Sequence, residues 1–386
     1  MLTTRNIKDI IADLGSSTNP TAQHELNEKA FNICREYIGG IWNKVNLDVF
    51  DISKISGGMT NMVFLCSLAD SIQPETTEPT KAILRVYFNP DIDKNLVTEI
   101  VVFAILAEKK LGPKLLGTFE GGRLEEYIPS RALKYYELGN QRFSPEIAKA
   151  IARIHKLDMP MKKKPTFLLG LLTQWMSQLS EHKKPQDVIP IPEKYSQWAP
   201  KSIMFEELGQ HVDSMKELIA KSPSKVVFCH NDIVENNLLL VESDSNDSET
   251  VNPELVLIDY EFASYNYRGF EFGNHFVEWS IDYDVKEPPF YEINTDLLPS
   301  EERMFEFILD YLKEYHSSDA NDDLMEEAKS IVQESLPFIP VDHMLWGVFS
   351  LMQVYAVNAI DFDFGKIAGD RLGMYYQYRH LLKKLQ

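Results

Sequence analysis

At 386 residues, the chain is too long for one ordinary compact core, and with 44% hydrophobic and 25% charged residues it is not disordered, so two lobes are expected. A formal net charge of −19 argues against a general nucleic-acid-binding role, which needs a basic face; it suits solubility and is compatible with a cationic substrate. Three scattered cysteines, Cys34, Cys66 and Cys229, offer no zinc-ligand spacing and point to a reducing, cytoplasmic compartment.

In chain order, residues 1–9 lack the apolar core of a signal peptide. Residues 21–42 read as an amphipathic helix. Residues 49–68 read as strand, glycine turn and strand around Ser56-Gly57-Gly58-Met59-Thr60-Asn61. A polar loop over 71–80 precedes a third strand at 81–88 and a helix over 93–111 with apolar residues at helical spacing, stopped by Gly112-Pro113. Residues 114–119 and 123–128 give two more strands, and Ile128-Pro129-Ser130 reads as a hinge because Pro129 cannot donate to a sheet.

Beyond the hinge the chain becomes mostly helical. Ser144 is expected to cap a helix with Pro145 at its first position. The stretch 160–200, with six prolines and many lysines, is expected to wind over the surface. A helix near 203–221 and short strands at 226–229, 237–241 and 255–258 follow, the last two joined by an acidic, solvated hairpin loop over 242–254. Four or five helices are expected after Gly269. The most apolar long stretch, 344–357, is shorter than the ~20 residues a membrane span requires.

The fold class is thus α+β: a β-rich N-terminal lobe with a leading helix over residues 1–128, and a mostly helical C-terminal lobe over 129–386.

The chemistry concentrates in His230-x-Asp232-x-x-x-x-Asn237, the catalytic-loop spacing of kinases, in which the Asp orients the acceptor hydroxyl or takes its proton and the Asn binds Mg²⁺. Asp259, after the apolar run 255–258, supplies the second Mg²⁺ oxygen. It opens Asp259-Tyr260-Glu261 where protein kinases have Asp-Phe-Gly, which argues against a flipping activation segment. Gly57, Gly58, Thr60 and Asn61 form a candidate phosphate cover. Arg85, in the apolar strand Ala82-Ile83-Leu84-Arg85-Val86, is the candidate phosphate cation, with Glu99 on the following helix as its expected partner. No Walker A sequence is present. Each piece has a plainer reading as well: a polar turn, a Gly-Gly hairpin, an edge-strand arginine.

The chain resembles the choline/ethanolamine kinase family from about residue 55 to 382. The most specific stretch runs from Ile258-Asp259-Tyr260-Glu261-Phe262 through Tyr265-Asn266-Tyr267-Arg268-Gly269-Phe270 to Gly273-Asn274-His275-Phe276-Val277-Glu278-Trp279, with further matches at Leu111-Gly112-Pro113 and Ile128-Pro129-Ser130-Arg131. The resemblance implies a two-lobed, protein-kinase-like fold, ATP and Mg²⁺ as cofactors, phosphorylation of choline or ethanolamine at the start of phospholipid head-group synthesis, and a cytoplasmic homodimer. By position it places Glu126 and Ile128 at the adenine. It places Glu278, Tyr283, Trp346, Phe262 and Phe349 around the amine, which aromatic faces and a carboxylate can hold without hydrogen bonds. Family members usually carry Tyr, Trp and Gln where this chain has Phe262, Phe349 and Val234. Each weakened cation–π contact is worth roughly 0.5–2 kcal/mol, so choline is favoured but with a raised KM or broadened preference. The alternatives are an ethanolamine kinase, another aminoglycoside-phosphotransferase-like small-molecule kinase, and a pseudokinase-like binding or dimerisation partner.

Overall fold

The computed structural model describes residues 6–15, 20–55, 61–87, 92–242, 252–356 and 362–385. The chain divides into two compact units, Met1–Ser130 and Arg131–Gln386.

The first unit begins with helices α1 (Ile7–Gly15) and α2 (Pro20–Tyr37). Strands β1 (Phe50–Ile55), β2 (Asn61–Leu68) and β3 (Lys81–Tyr87) follow, then helix α3 (Ile92–Glu108) and strands β4 (Leu115–Phe119) and β5 (Gly122–Glu126). The strands form one antiparallel sheet in the order β1-β2-β3-β5-β4. Strand periodicity decides its faces. Phe64, Cys66 and Leu68 of β2 and Ala82, Leu84 and Val86 of β3 point into a core shared with Leu26, Ala30, Phe31 and Cys34 of α2. The alternate residues Arg85, Arg123 and Glu125 occupy the other face, where the Arg123 guanidinium lies 4.6 Å over the Phe103 ring of α3. Helix α2 stops at Tyr37, short of the expected 42, because Gly39 and Gly40 both take positive φ (71° and 54°), a conformation glycine adopts freely.

The second unit opens with β6 (Ser130–Ala132), a short α4 (Tyr135–Leu138), α5 (Ser144–His155), α6 (Phe167–Leu179), the hairpin β7 (Val188–Pro190) and β8 (Ser202–Met204), and α7 (Phe205–Ile219). Then come β9 (Val226–Cys229), β10 (Leu238–Val241), β11 (Leu255–Leu257) and β12 (Ser264–Tyr267), followed by α8 (Arg268–Glu278). A small hairpin, β13 (Ile281–Asp282) and β14 (Glu292–Ile293), leads to α9 (Glu301–His316), α10 (Asp322–Ser335), α11 (Phe338–Ala356) and α12 (Phe364–Tyr378). The five described helices from α8 onward agree with the sequence expectation. Residues 243–251 of the acidic loop lie outside the described residues.

Two expectations are corrected. The stretch 160–200 is not all surface: its prolines bracket α6, whose Leu168, Leu172, Trp175 and Leu179 fall at helical spacing and are buried in the main core. Ser144 is the first residue of α5 rather than its cap. Phe143 precedes it, and the Ser144 hydroxyl accepts instead from Arg303 Nη2 at 2.6 Å. Helix α8 lies tightly against its neighbours through Gly269 and Gly273, where an added Cβ would come within 2.7 Å of the Glu334 carbonyl and 2.9 Å of Phe338 Cβ. No helix among the described residues is long and apolar enough to cross a membrane.

Candidate active site

The loop from β9 to β10 carries His230 to Asn237, and its backbone is held from below by a buried carboxylate. Glu271 of α8 accepts the His230 N–H at 2.7 Å and the Asn231 N–H at 2.6 Å. The His155 ring stands 3.2 Å from the same carboxylate. Burial raises the Glu271 pKa, but these partners outweigh it and hold the carboxyl below its ordinary range. Asn231 takes φ +69°, costly for a non-glycine residue. Its amide offsets the strain by donating to the Phe262 carbonyl (2.9 Å) and Ser264 Oγ (3.0 Å), while Asn266 donates to its Oδ1 at 2.6 Å. His230 Nε2 lies 2.8 Å from the Ile258 carbonyl, which can only accept, so Nε2 carries the proton. Burial lowers the His230 pKa.

Sheet register then brings the candidate catalytic residues together. Leu238 pairs with Leu257 across the β10–β11 hairpin, and Ile258 N–H donates to the Asn237 carbonyl at 3.0 Å, so Asn237 and Asp259 leave the same end of the sheet. Asp259 sits in the left-handed region (φ 66°, ψ 62°). Asn237 Nδ2 donates to the Asp232 carbonyl (3.0 Å) and to Asp232 Oδ2 (3.2 Å), which leaves its Oδ1 as an oxygen donor. Desolvation, and then the carboxylates of Glu278, Glu261, Asp259 and Asp342, push Asp232 well above the ordinary carboxylate range. This set fits a hard divalent cation, since Asn237 and Asp259 offer oxygen ligands and the crowded negative charge is what a cation relieves.

The residues expected around the amine come from separate elements. Glu278 ends α8 and is 1% exposed. Its Oε1 accepts from Arg371 Nη2 of α12 at 2.7 Å, and the same nitrogen donates to the Tyr283 hydroxyl at 2.7 Å. Trp346 of α11 stands edge-on to Phe262 (5.6 Å, 81°) and to Phe349 (5.3 Å, 89°). Trp346, Phe262 and Val234 are half-buried, whereas Phe349 is 6% exposed, packs 5.1 Å from Trp175 and belongs to the main core.

Several buried charged residues escaped the sequence reading, among them Glu271, Glu235, Asp342 and Arg371. The available signal was a charge inside an apolar helical pattern, which must find a partner. Asp342, at the start of the apolar run of α11, accepts from Asn274 Nδ2 (2.8 Å) and Arg371 Nη1 (3.0 Å). His155, Cys229 and Glu271 also bring potential ligand atoms within 4.8 Å of one another, which the sequence spacing did not suggest. The carboxylate of that trio is already committed to the two backbone N–H groups.

In the first unit, Gly57, Gly58 and Thr60 lie outside the described residues, as do the side chains of Asn61, which opens β2, and Glu99, on α3. Arg85 is buried on β3, and the structure gives it a partner the sequence reading passed over. Its Nε lies 2.9 Å from Glu125 Oε1, which Arg123 Nε also meets at 2.7 Å. Burial pushes Glu125 up, but the two guanidiniums together hold it below the usual carboxylate range. Register explains the cluster: Arg85 pairs directly with Arg123, a like-charge pair that the nearby Glu125 bridges. Glu126 ends β5, with its N–H donating to the Lys114 carbonyl at 2.9 Å, and the Ile128 carbonyl accepts from Ser130 Oγ at 2.8 Å.

Comparison with known proteins adds an independent line. Residues 52–376 match the family described as choline/ethanolamine kinase. The chain is 41% identical to choline kinase A2 of Caenorhabditis elegans, over 99% of this chain and 92% of that protein. It is 36% identical to a human choline/ethanolamine kinase, over 92% of this chain and 87% of that one. Among solved structures, a choline kinase from Cryptosporidium parvum shares the fold with a TM-score of 0.71 and 23% identity, over 92% of this chain and 95% of that one.

Proposed function

The chain belongs to the choline/ethanolamine kinase family and has its α+β, protein-kinase-like fold, and from that premise we propose that it transfers the γ-phosphoryl group of ATP to the hydroxyl of choline, with ethanolamine as a second acceptor. The observation that carries the reading is the approach of Asn237 Nδ2 to Asp232 Oδ2 at 3.2 Å, with Asp259 leaving the same sheet end. Asp232 orients the acceptor hydroxyl and takes its proton, a task its raised proton affinity suits. Asn237 and Asp259 would hold Mg²⁺, which supplies charge neutralisation for the phosphates when bound. Glu278, Tyr283, Trp346 and Phe262 receive the ammonium, with Phe349 as a wall behind Trp346.

The phosphates are assigned to Gly57, Gly58, Thr60 and Asn61 with Arg85, whose charge Glu125 orients and for which Glu99 is the acidic partner expected from the sequence. The adenine is assigned to the backbone at Glu126 and Ile128. The entry to phospholipid head-group synthesis, a cytoplasmic location and a homodimer complete the reading on the strength of the family resemblance.

An ATP-consumption assay with choline and ethanolamine side by side, with mass detection of the phosphorylated amine, tests it. Turnover of at least one amine is expected. A folded preparation that binds Mg-ATP and yields neither product sinks the reading.

A further inference from the structure

Arg371 is 2% exposed and sits on α12, more than ninety positions after the glutamate it binds, at the centre of a group of buried side chains. Nη2 donates to Glu278 Oε1 and to the Tyr283 hydroxyl, both at 2.7 Å. Nη1 donates to Asp342 Oδ2 at 3.0 Å and stands 3.4 Å from His343 Nδ1. An arginine present only to neutralise a buried carboxylate does best by engaging both of its oxygens in a fork. This one does not: it takes one oxygen from each of two carboxylates. Asp342 completes its own set through Asn274, on its other oxygen. Glu278 Oε2 is buried and has no hydrogen-bond partner among the described residues.

A bare buried carboxylate oxygen is expensive, and buried polar groups are nearly always partnered. Here the cost is maintained by Arg371, which holds the opposite oxygen and is itself anchored by Tyr283 and Asp342. We propose that Arg371 is a positioning residue for amine recognition: it grips Glu278 by Oε1 so that Oε2 stays available to the substrate's ammonium group. The proposal rests on the amino-alcohol kinase reading above and extends it to a residue outside the expected pocket. The planar guanidinium matters as well as its charge. Its two terminal nitrogens reach Glu278, Tyr283 and Asp342 at fixed angles, which a lysine ammonium on a flexible stem cannot reproduce.

The test is Arg371→Lys, which keeps the charge and removes the fork. The expected result is a rise of about tenfold or more in the KM for choline, with the KM for Mg-ATP within about twofold of wild type and kcat changed less than the choline KM. A purely structural role would lower the melting temperature and impair all three parameters together, raising both KM values and lowering kcat. Asp342→Asn, which keeps the shape and weakens the anchor of Nη1 without altering a group assigned to the amine, gives a smaller rise with the same selectivity. It decides the matter if Arg371→Lys does not fold.

Choline KM values within twofold of wild type in the folded variants overturn the proposal, as do parallel losses in the choline and ATP parameters. Wild type that neither binds nor phosphorylates an amine overturns the functional reading and this proposal with it. Active wild type with unaffected variants overturns this proposal alone.

Discussion

The two halves of the site in the second unit are built by different means. The loop half, His230 to Asn237 with Asp259, is fixed through the backbone: a buried carboxylate accepts from two consecutive N–H groups, a carbonyl accepts from the histidine Nε2–H, and strand register does the rest. The helix half, Glu278 with Tyr283, Asp342 and Arg371, is fixed by side chains meeting from α8, α11 and α12. A backbone scaffold tolerates changes in the groups it displays. A side-chain scaffold does not, because each member is both displayed group and support. Substitutions of the groups the loop half displays should therefore spare stability, whereas substitutions among the interlocked Glu278, Tyr283, Asp342 and Arg371 should cost some stability along with amine binding.

The sharpest separation is expected at Asp232. Asp232→Ala should lower kcat by about a thousandfold or more, as loss of a general base does at the upper end of its usual range. It also removes a carboxylate crowded by four others, so the melting temperature should hold or rise, read by thermal unfolding of the metal-free protein. A drop of many degrees would break the comparison. Next in size is Glu271, the support itself. Glu271→Gln keeps one oxygen for the two N–H donors and turns an amide toward the other. It should cost roughly 3 kcal/mol in stability, and lower kcat more than either KM. Unchanged kcat with a lowered melting temperature would make Glu271 a core residue and nothing more.

The same division governs what was legible in the sequence. The loop half lies within about thirty positions and follows strand ends, so spacing alone brought His230, Asp232, Asn237 and Asp259 into one argument. Strand periodicity likewise put Arg85 among apolar neighbours and demanded a partner for it. The partner Glu125 was missed because a helix residue was sought, while antiparallel register places a strand residue just as near. In the helix half, Arg371 is more than ninety positions from Glu278, and helical periodicity says only that it faces inward. Which buried acid it meets depends on the packing of three helices, which no local pattern encodes. Helix α6 was missed for the opposite reason: local composition, rich in proline and lysine, masked four apolar residues at correct spacing.

Two aromatic replacements sharpen the comparison around the amine. Phe262 is half-buried and Phe349 nearly fully buried against Trp175, so restoring the usual family residue should have opposite consequences. Phe262→Tyr should lower the choline KM by a few-fold at little cost in stability, a step within the range of one cation–π contact. Phe349→Trp enlarges a filled core and should cost about 1–3 kcal/mol. Calorimetric unfolding and choline KM values for both variants check this. If Phe349→Trp is the tolerated change and Phe262→Tyr the costly one, Phe349 lines the pocket rather than backing it.

The smallest effect is expected at Glu235, which belongs to the loop half by sequence and faces the helix half in space. It is 2% exposed, one of its oxygens has no partner among the described residues, and burial followed by the Glu278 charge pushes its pKa to about 8. Below the ordinary glutamate pKa both folded and unfolded states carry the proton. Between there and pH 8 the unfolded chain releases it while the folded protein keeps it, so folding stability falls across that window. Glu235→Gln has no proton to lose. In metal-free protein its melting temperature relative to wild type should rise between pH 5 and about pH 8 by a few degrees and then level off. A difference that stays constant with pH would mean that Glu235 is ionised in the folded state, so that the two halves do not meet through its proton.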